Sequence, residues 1–265
     1  MTQSYQDIDV QDRGHVRSIF HNRPEKRNAE SQRLLEEFRH ALSEANRDDN
    51  VRVVIIGGHG DHFSAGHDLR EGQAVRMAFS LEQRWEYEAN LYLGLCLEVW
   101  DFPKPTIAQV QGACIAGGFM LANMCDLLVA SDDAYFSDPV VHTLSVAATE
   151  VLIHPWVLGL RQAKDMLYTG RKLSAAEGLA MGMVNRLFAR ADLEAETLAL
   201  AARIAEAPPF AMRMTKRSLN RTAEIQGLRQ ALSAHLELHL MTHYTRERDE
   251  VKARGVDAAL GKRRD

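Results

Sequence analysis

Apolar and polar positions along the chain follow two periodicities, and each predicts a different kind of element. Residues 15–21 alternate polar and apolar side chains, which predicts a strand with one buried face. Residues 51–56, VRVVII, form a β-branched run that is typical of a buried parallel strand. Between these strands, apolar positions recur at helical spacing as far as Leu42, and Ser31 is placed to cap that helix.

The order of strand, glycine-rich loop and helix occurs twice. The first copy begins with the strand at 51–56 and passes through two small-residue loops. The second copy begins with a strand at 106–110, passes through Gly112 and a small-residue cluster at 116–118, and ends in an apolar helix. A helix that begins at such a loop has first-turn amides without partners, and its dipole attracts negative charge. The second loop therefore predicts an anion site, with Gly117 as one half of an oxyanion hole.

The remaining sequence divides into an insertion between the loops and a helical C-terminal region. Charged residues at 71–89 and an apolar helix at 91–100 form the insertion, which we expect to cover a site. Further elements are predicted as strands at 126–130 and 134–136 and as helices at 161–168, 174–181, 193–206, 208–220 and 223–244. The pattern indicates an α/β core over residues 1–200 and a helical region over residues 201–265.

Composition and charge narrow the class of protein. Of the 265 residues, 46% are hydrophobic and 26% are charged, which are ordinary values for a folded globular chain. The net charge of −4 gives no sign of the basic surface that nucleic-acid binding requires. The three cysteines have apolar neighbours and no ligand spacing, which predicts buried free thiols in a reducing compartment. A polar N-terminus and the lack of a long unbroken apolar run predict a cytoplasmic protein without membrane segments.

Four segments together resemble the enoyl-CoA hydratase/isomerase superfamily, the crotonases. FSAGHDL at 63–69 and VQGACIAGGFMLANMCD at 110–126 are similar to the two signature segments of that superfamily. HNRPEKRNAES at 21–31 resembles its early Arg-Pro and Asn-Ala segment, and MLYTGRKLSAAEGLAMGMVNRLF at 166–188 resembles its Thr-Gly and Glu-Gly pattern. The resemblance is collinear over roughly residues 10–220, so the chain is identified as a member of the superfamily.

The resemblance implies a fold, a substrate class and an assembly. The fold is the α/β, crotonase-like (ClpP/crotonase) spiral of ββα units, with the helical C-terminal region serving trimerisation. The substrate is an acyl thioester of coenzyme A, so coenzyme A enters as part of the substrate, and neither a separate cofactor nor a metal is expected. The assembly is a homotrimer or a homohexamer, and no nucleic-acid or membrane partner is expected.

Two backbone amides, those of His67 and Gly117, are implied to form the oxyanion hole for the thioester oxygen. That oxygen gains negative charge as an enolate forms, and fixed donors stabilise the charged state more than the neutral substrate. Further substrate contacts are expected from Arg23, Lys26, Arg27, Ala65, Gly66, Asp68, Leu69, Gly118, Met120, Val140 and His142. The three cations suit the phosphates of coenzyme A, with a solvated charged loop as the alternative. Asp68 is also placed as a helix N-cap.

The two glutamates that hydratases of this family use are absent. Their positions correspond to Met120 and Val140, whose side chains cannot transfer protons. Glu150 is the expected replacement, because it lies in a nearly charge-free stretch where burial would raise its pKa and suit it to acid–base catalysis. The alternative is a structural Glu150 that pairs with Arg161 or caps a turn.

The histidines allow more than one interpretation. The His67 side chain either touches the thioester region of the substrate or points to solvent. His142 could supply a base, but a hydrogen-bonded core histidine is the favoured role. His235, His239 and His243 recur at every fourth residue and share one helix face. Two such histidines can bind zinc, but a site needs further ligands, so a surface or interface stripe is favoured.

The sequence therefore predicts an enzyme of the enoyl-CoA hydratase/isomerase type that stabilises a thioester enolate. Double-bond isomerisation, which needs one base, or an atypical hydration is favoured over standard hydration, which positions a water between two carboxylates. Decarboxylation, thioester hydrolysis, carbon–carbon cleavage and non-catalytic acyl-CoA binding are the alternatives.

Overall fold

Two β-sheets organise the computed structural model, which describes residues 4–255. The strands are Ile8–Arg13 (β1), Val16–His21 (β2), Val53–Gly58 (β3), Thr106–Val110 (β4), Ala113–Ile115 (β5), Leu127–Ser131 (β6), Tyr135–Ser137 (β7), Leu173–Ser174 (β8) and Arg186–Phe188 (β9). The larger sheet has the order β1-β2-β3-β4-β6-β9, and the smaller has the order β5-β7-β8. β1 and β2 form an antiparallel pair, whereas the other neighbours in the larger sheet are parallel.

Helices connect the strands and cover the sheets. The α-helices within residues 4–255 are Gln32–Arg47 (α1), Leu69–Ala74 (α2), Leu81–Tyr87 (α3), Leu95–Asp101 (α4), Gly117–Asn123 (α5), Val140–Leu144 (α6), His154–Leu158 (α7), Leu160–Thr169 (α8), Ala175–Met181 (α9), Leu193–Ala205 (α10), Pro209–Ile225 (α11), Leu228–Ser233 (α12), Leu236–Thr242 (α13) and Arg246–Arg254 (α14). Short 3₁₀ helices lie at Pro24–Lys26 and Arg76–Ala78, and a π-helix at Glu88–Gly94 joins α3 to α4.

The chain advances as a spiral of ββα units, so the predicted fold class is confirmed. Successive strands join the larger sheet, and after β2, β3, β4 and β6 the chain makes a short extended pairing beside it. A parallel bridge joins Glu30 to His67, another joins Ser64 to Cys114, and β5 pairs with β7. This second row of pairings brings the beginning of α1 and both glycine-rich loops to one place.

Strand β3 shows how the core is divided into two layers. All six of its residues are buried, as predicted for a parallel strand covered on both faces. Val54 and Ile56 join the main core with α1, whereas Val53 and Ile55 pack on the opposite face with α10. The alternation follows from the two-residue period of a strand. Helix α10 therefore closes one face of the larger sheet.

The C-terminal region is more broken than the sequence suggested. The single helix predicted over 223–244 is divided into α12 and α13, and Gly227, with φ of +100°, separates α12 from α11. Leu228 and Leu236 belong to the main core, so these helices fold back on their own chain. The role of the region in trimerisation stays a prediction, and its residues 256–265 lie outside the described part of the chain.

The burial of the three cysteines agrees with the prediction from the sequence. Cys96, Cys114 and Cys125 are buried free thiols, as predicted. Burial raises the pKa of each thiol above its ordinary value, so all three are uncharged at neutral pH. Across residues 4–255, no helix combines the length and the apolar character that crossing a membrane would need.

Candidate active site

A cavity of about 270 Å³ lies where the glycine loops, the insertion and the C-terminal helices meet. Its apolar lining includes Met77, Ile115, Val140, Leu144, Val146 and Val251. Its polar lining includes His67, Glu88, Glu150 and His239. Helices α2 and α3 contribute to the wall, as expected for an insertion that covers a site. An apolar cavity with a few converging titratable groups is typical of a small-molecule site.

The two glycine loops lie against each other at this cavity. A Cβ on Gly66, whose φ is +77°, would stand 2.7 Å from the Ile115 carbonyl oxygen and 3.0 Å from the Gly117 nitrogen. At the bridge between Glu30 and His67, the amides of Glu30 and Asp68 make the hydrogen bonds. Within residues 4–255, neither the His67 amide nor the Gly117 amide donates a hydrogen bond to the protein.

Gly117 permits close contact between α5 and two side chains. A Cβ at this position would collide with the Glu30 carboxylate and stand 2.8 Å from Nδ1 of His67. The preceding residue, Ala116, has φ of +48° and ψ of −114°, which is an unfavourable conformation for a residue with a side chain. Strain of this kind persists where the surrounding structure holds a functional turn in place.

The His67 side chain is surrounded by three carboxylates. Its ring stacks on Tyr92 with the centroids 3.5 Å apart and the planes 4° from parallel. Nδ1 lies 3.9 Å from Glu30, and Nε2 lies 3.8 Å from both Glu88 and Glu150. These separations are too long for direct hydrogen bonds, but they are short for ionic attraction. The His67 ring therefore lies in the cavity wall and is largely withdrawn from solvent, so the expected orientation toward solvent is not the one adopted.

Glu150 is buried, but its surroundings are not apolar. Its Oε2 lies 3.0 Å from Nδ1 of His239, which also lies 2.6 Å from the Ala147 carbonyl oxygen. Burial alone would raise the pKa of Glu150, but the positive charges of His239 and His67 hold it below its ordinary value. The predicted raised pKa is therefore wrong, because charged partners arrive from distant parts of the chain. The partner is His239, not Arg161.

Two of the carboxylates were not identified from the sequence. Burial raises the pKa of Glu30 to about 7, although the His67 charge opposes the change. Burial acts in the same direction on Glu88, but the neighbouring imidazoles of His67 and His239 lower its pKa to about 2. Glu30 ends one of the family-like segments, and Glu88 lies in a segment of many charges. Neither position carries a local pattern that separates it from a surface glutamate.

Arg23 lies inside the protein and does not line the cavity. Its guanidinium lies 2.9 Å from the Asp68 carboxylate and 3.6 Å from that of Asp7. Asp68 also caps α2 through the amides of the first turn, as predicted. Arg27 is exposed and lines the cavity, while Lys26 is exposed on the neighbouring 3₁₀ helix. Of the three cations, Arg27 and Lys26 therefore have the access that a phosphate contact needs.

The other expected contact residues fall into two groups. Ala65, Leu69 and Val140 line the cavity. Met120 does not, because its side chain is buried in the main core. His142 lies at the surface, where its ring is hydrogen-bonded to the Tyr168 carbonyl oxygen at 2.7 Å, so the expected position in the core is wrong. Gly118 fits closely against Ser64, since an added Cβ would stand 2.7 Å from the serine Cβ.

The histidine stripe of α13 faces inward. His239 is buried, and its Nε2 lies 3.1 Å from Nε2 of His243. The expectation of a surface stripe is therefore wrong for His239. Because α12 and α13 fold back onto the core, the face that carries these histidines meets the cavity. Only His235, which precedes α13, lies outside the cluster.

Comparison with known proteins agrees with this architecture. Residues 12–265 match the family model described as enoyl-CoA hydratase/isomerase. The putative enoyl-CoA hydratase EchA13 of Mycobacterium tuberculosis is 36% identical over 88% of this chain and 78% of its own length. A 4-chlorobenzoyl coenzyme A dehalogenase of an Arthrobacter species is 33% identical over 79% of this chain and 76% of its own. The crystal structure of a probable enoyl-CoA hydratase from Mycobacterium smegmatis matches with a TM-score of 0.85 and 43% identity, covering 91% of this chain and 95% of that one.

Proposed function

The chain belongs to the enoyl-CoA hydratase/isomerase family, and from that premise we propose that it isomerises the acyl double bond of a coenzyme A thioester through an enolate. The observation that carries this proposal is the pairing of two unsatisfied amides with an ionised carboxylate on the cavity wall. The amides belong to the glycine loops, and the proton acceptor is Glu150 beside His67.

The amides of His67 and Gly117 stabilise the oxygen of the enolate in this scheme. Both are free of protein acceptors within residues 4–255, and their loops pack together through Gly66. The Gly117 amide also lies in the first turn of α5, where amides lack helical partners. Removing one donor of an oxyanion hole typically costs about 3 kcal/mol of transition-state stabilisation.

Glu150 acts as the base. Its pKa lies below the ordinary value, so the carboxylate is ionised at neutral pH and ready to accept a proton. In a 3-enoyl thioester it takes a proton from C2, the electrons move to the thioester oxygen, and the same proton returns at C4. The product is the conjugated 2-enoyl thioester, and no atom is gained or lost. His67, 3.8 Å away, stabilises the carboxylate between turnovers.

The side chains of Met120 and Val140 disfavour hydration of the substrate. Met120 is buried in the core and Val140 presents an apolar surface, so neither position can hold a water against the β-carbon. An atypical hydration would need Glu150 and His67 to position the water between them. Isomerisation needs only the one carboxylate, which agrees better with this site.

Arg27 and Lys26 bind the phosphates of the coenzyme A portion in this proposal. Both are exposed, and Arg27 lies at the cavity. Guanidinium groups bind phosphate through paired hydrogen bonds, whereas an ammonium group acts as a point charge. We further expect the protein to be cytoplasmic. We also expect a homotrimer or homohexamer, which analytical ultracentrifugation of the purified chain would test.

The proposal is tested with a panel of acyl-CoA thioesters. Incubation of 3-enoyl-CoA should yield 2-enoyl-CoA, and saturated acyl-CoA in D₂O should exchange its C2 protons for deuterium. Crotonyl-CoA should be hydrated far more slowly than 3-enoyl-CoA is isomerised. Hydration at ordinary enzyme rates, together with absent isomerisation, would overturn the assignment.

A second candidate is another reaction of the same family. The similarity to a 4-chlorobenzoyl coenzyme A dehalogenase supports keeping displacement, hydrolysis, decarboxylation and carbon–carbon cleavage in the panel. Mass spectrometry of the products separates these reactions, because each changes the mass of the acyl group differently. Thermal stabilisation by acyl-CoA without any turnover would instead indicate a non-catalytic binding protein.

A further inference from the structure

Two histidines and a glutamate meet beside the cavity. His239 lies in α13, His243 follows that helix by one residue, and Glu88 begins the π-helix that faces them. Their potential ligand atoms all lie within 4.8 Å of one another, and the two imidazole Nε2 atoms are 3.1 Å apart. All three side chains also line the cavity.

We propose that Glu88, His239 and His243 bind a divalent transition-metal ion of the zinc type. Tetrahedral coordination at metal–nitrogen distances of about 2.0–2.1 Å places neighbouring ligand atoms about 3.3 Å apart. The two Nε2 atoms already have nearly this separation, and rotation of the Glu88 carboxylate closes the remaining distance. Two histidines and one glutamate form a ligand set that catalytic zinc sites use.

The orientation of His239 is the one that a metal ligand requires. Its Nδ1 lies 2.6 Å from the Ala147 carbonyl oxygen and 3.0 Å from the Glu150 carboxylate. A metal-bound histidine usually donates its second N–H to a carbonyl or carboxylate, which fixes the tautomer and aims the other nitrogen at the metal. In the metal-bound state the ion replaces the proton on Nε2 of His239, Nδ1 remains the donor, and the Nε2 lone pair is directed toward the ion beside His243.

The charges around the cluster also favour a cation. Glu30, Glu88 and Glu150 are all buried, and all lie within 3.9 Å of His67. Oε2 of Glu88 is buried without a hydrogen-bond partner within residues 4–255. Oε1 of Glu88 accepts a hydrogen bond of 3.4 Å from the Arg84 guanidinium, so the partnerless Oε2 is the atom that a divalent ion would bind. Three protein ligands leave a fourth position at the cavity for water or an oxygen atom of a ligand.

Cobalt(II) titration of the untagged, full-length protein tests the site. The protein is first treated with a chelator and dialysed, and Co²⁺ is then added while the visible absorption spectrum is recorded. We expect one Co²⁺ per chain, bands of tetrahedral intensity, and displacement of Co²⁺ by Zn²⁺. His243→Ala and Glu88→Gln should each weaken the affinity by more than about tenfold. His235→Ala, one helical turn away and outside the cluster, should keep the wild-type affinity.

The result that overturns the proposal is absence of saturable Co²⁺ binding, or an equal affinity in wild type, His243→Ala, Glu88→Gln and His235→Ala. Circular dichroism establishes that each variant is folded, and His243→Gln replaces His243→Ala if the alanine variant does not fold. The readout is metal binding and not turnover. The outcome for the metal site is therefore independent of the outcome for the proposed isomerisation.

Discussion

The cavity has two walls that are built in different ways. One wall consists of the glycine loops around His67 and Gly117, and the groups that we propose to be reactive there are main-chain amides beside strand pairings. The other wall includes α3 and α13, and its reactive groups are side chains such as Glu88 and His239. The comparison shows that the main-chain amide dipoles at the cavity come from local sequence motifs. The ionisable side chains come from helices that pack together from distant parts of the chain. Changes in the two walls should therefore have separable effects.

Glu150→Gln should produce the largest effect, because it removes the proposed proton acceptor while keeping the size of the side chain. We expect kcat for the best substrate of the panel to fall about 10³-fold with little change in KM. Steady-state kinetics measures both. Glu237→Gln, which alters an exposed glutamate of α13, serves as the matched control and should leave kcat unchanged. Full activity of Glu150→Gln would remove this residue from the mechanism.

Gly117→Ala tests the wall of main-chain amides. The added methyl group meets the Glu30 carboxylate and His67, so it displaces the amide that is proposed to contact the thioester oxygen. We expect kcat to fall about 300-fold. The control is Gly14→Ala in the β1–β2 turn, where φ is +62° and no atom lies within 4 Å of the added Cβ. Gly14→Ala should lower the free energy of unfolding by about 1 kcal/mol and leave activity unchanged. A Gly117→Ala enzyme with unchanged activity would contradict the proposed oxyanion hole.

Glu30→Gln should change how stability depends on pH. In the folded chain burial raises the pKa of Glu30 from 4.5 to about 7, so the folded state binds a proton more tightly than the unfolded state. This contribution to stability is complete below pH 4.5 and is lost as the pH rises through 7, at a cost of about 3 kcal/mol. Urea unfolding at pH 5 and pH 8 should therefore show Glu30→Gln gaining stability relative to wild type at the higher pH. An unchanged difference at the two pH values would show that Glu30 is not a buried titrating group.

Arg27→Ala should have the smallest effect, because it acts on neither wall. Loss of one charge-assisted hydrogen bond to a phosphate should raise KM about tenfold and leave kcat unchanged. Competitive inhibition by free coenzyme A compares binding by Arg27→Ala and wild type directly, because the inhibitor itself does not react. Arg246→Ala, which alters a side chain that is 94% exposed, is the control for a general loss of positive charge. A reduced kcat in Arg27→Ala would place this residue closer to the reacting atoms.

The first wall could be predicted from the sequence, because local patterns determine it. Small residues at Gly66 and Gly117 marked the loops, Asp68 marked the start of α2, and β-branched runs marked the parallel strands. These signals lie within a few residues of the structure that they predict. The spiral of ββα units followed from the same segments and from the resemblance of their order.

The second wall could not be predicted in the same way. The sequence around Glu150 is almost free of charge, but its neighbours in space are His67 and His239, which come from two distant segments. The four-residue spacing correctly brought His239 and His243 together, but not His235, which precedes α13. The spacing contained no information on what these side chains would meet, since the break at Gly227 and the packing of Leu236 decide this.

The inward-facing position of His239 has a consequence for synthesis of the chain. Translation proceeds from the N-terminus, so both glycine loops and Glu150 leave the ribosome well before α13 does. Until α13 is made, Glu150 lacks the imidazole that lies 3.0 Å from it in the folded chain. A chain that ends before α13 would therefore lose both the His239 partner of Glu150 and the core contacts of Leu236.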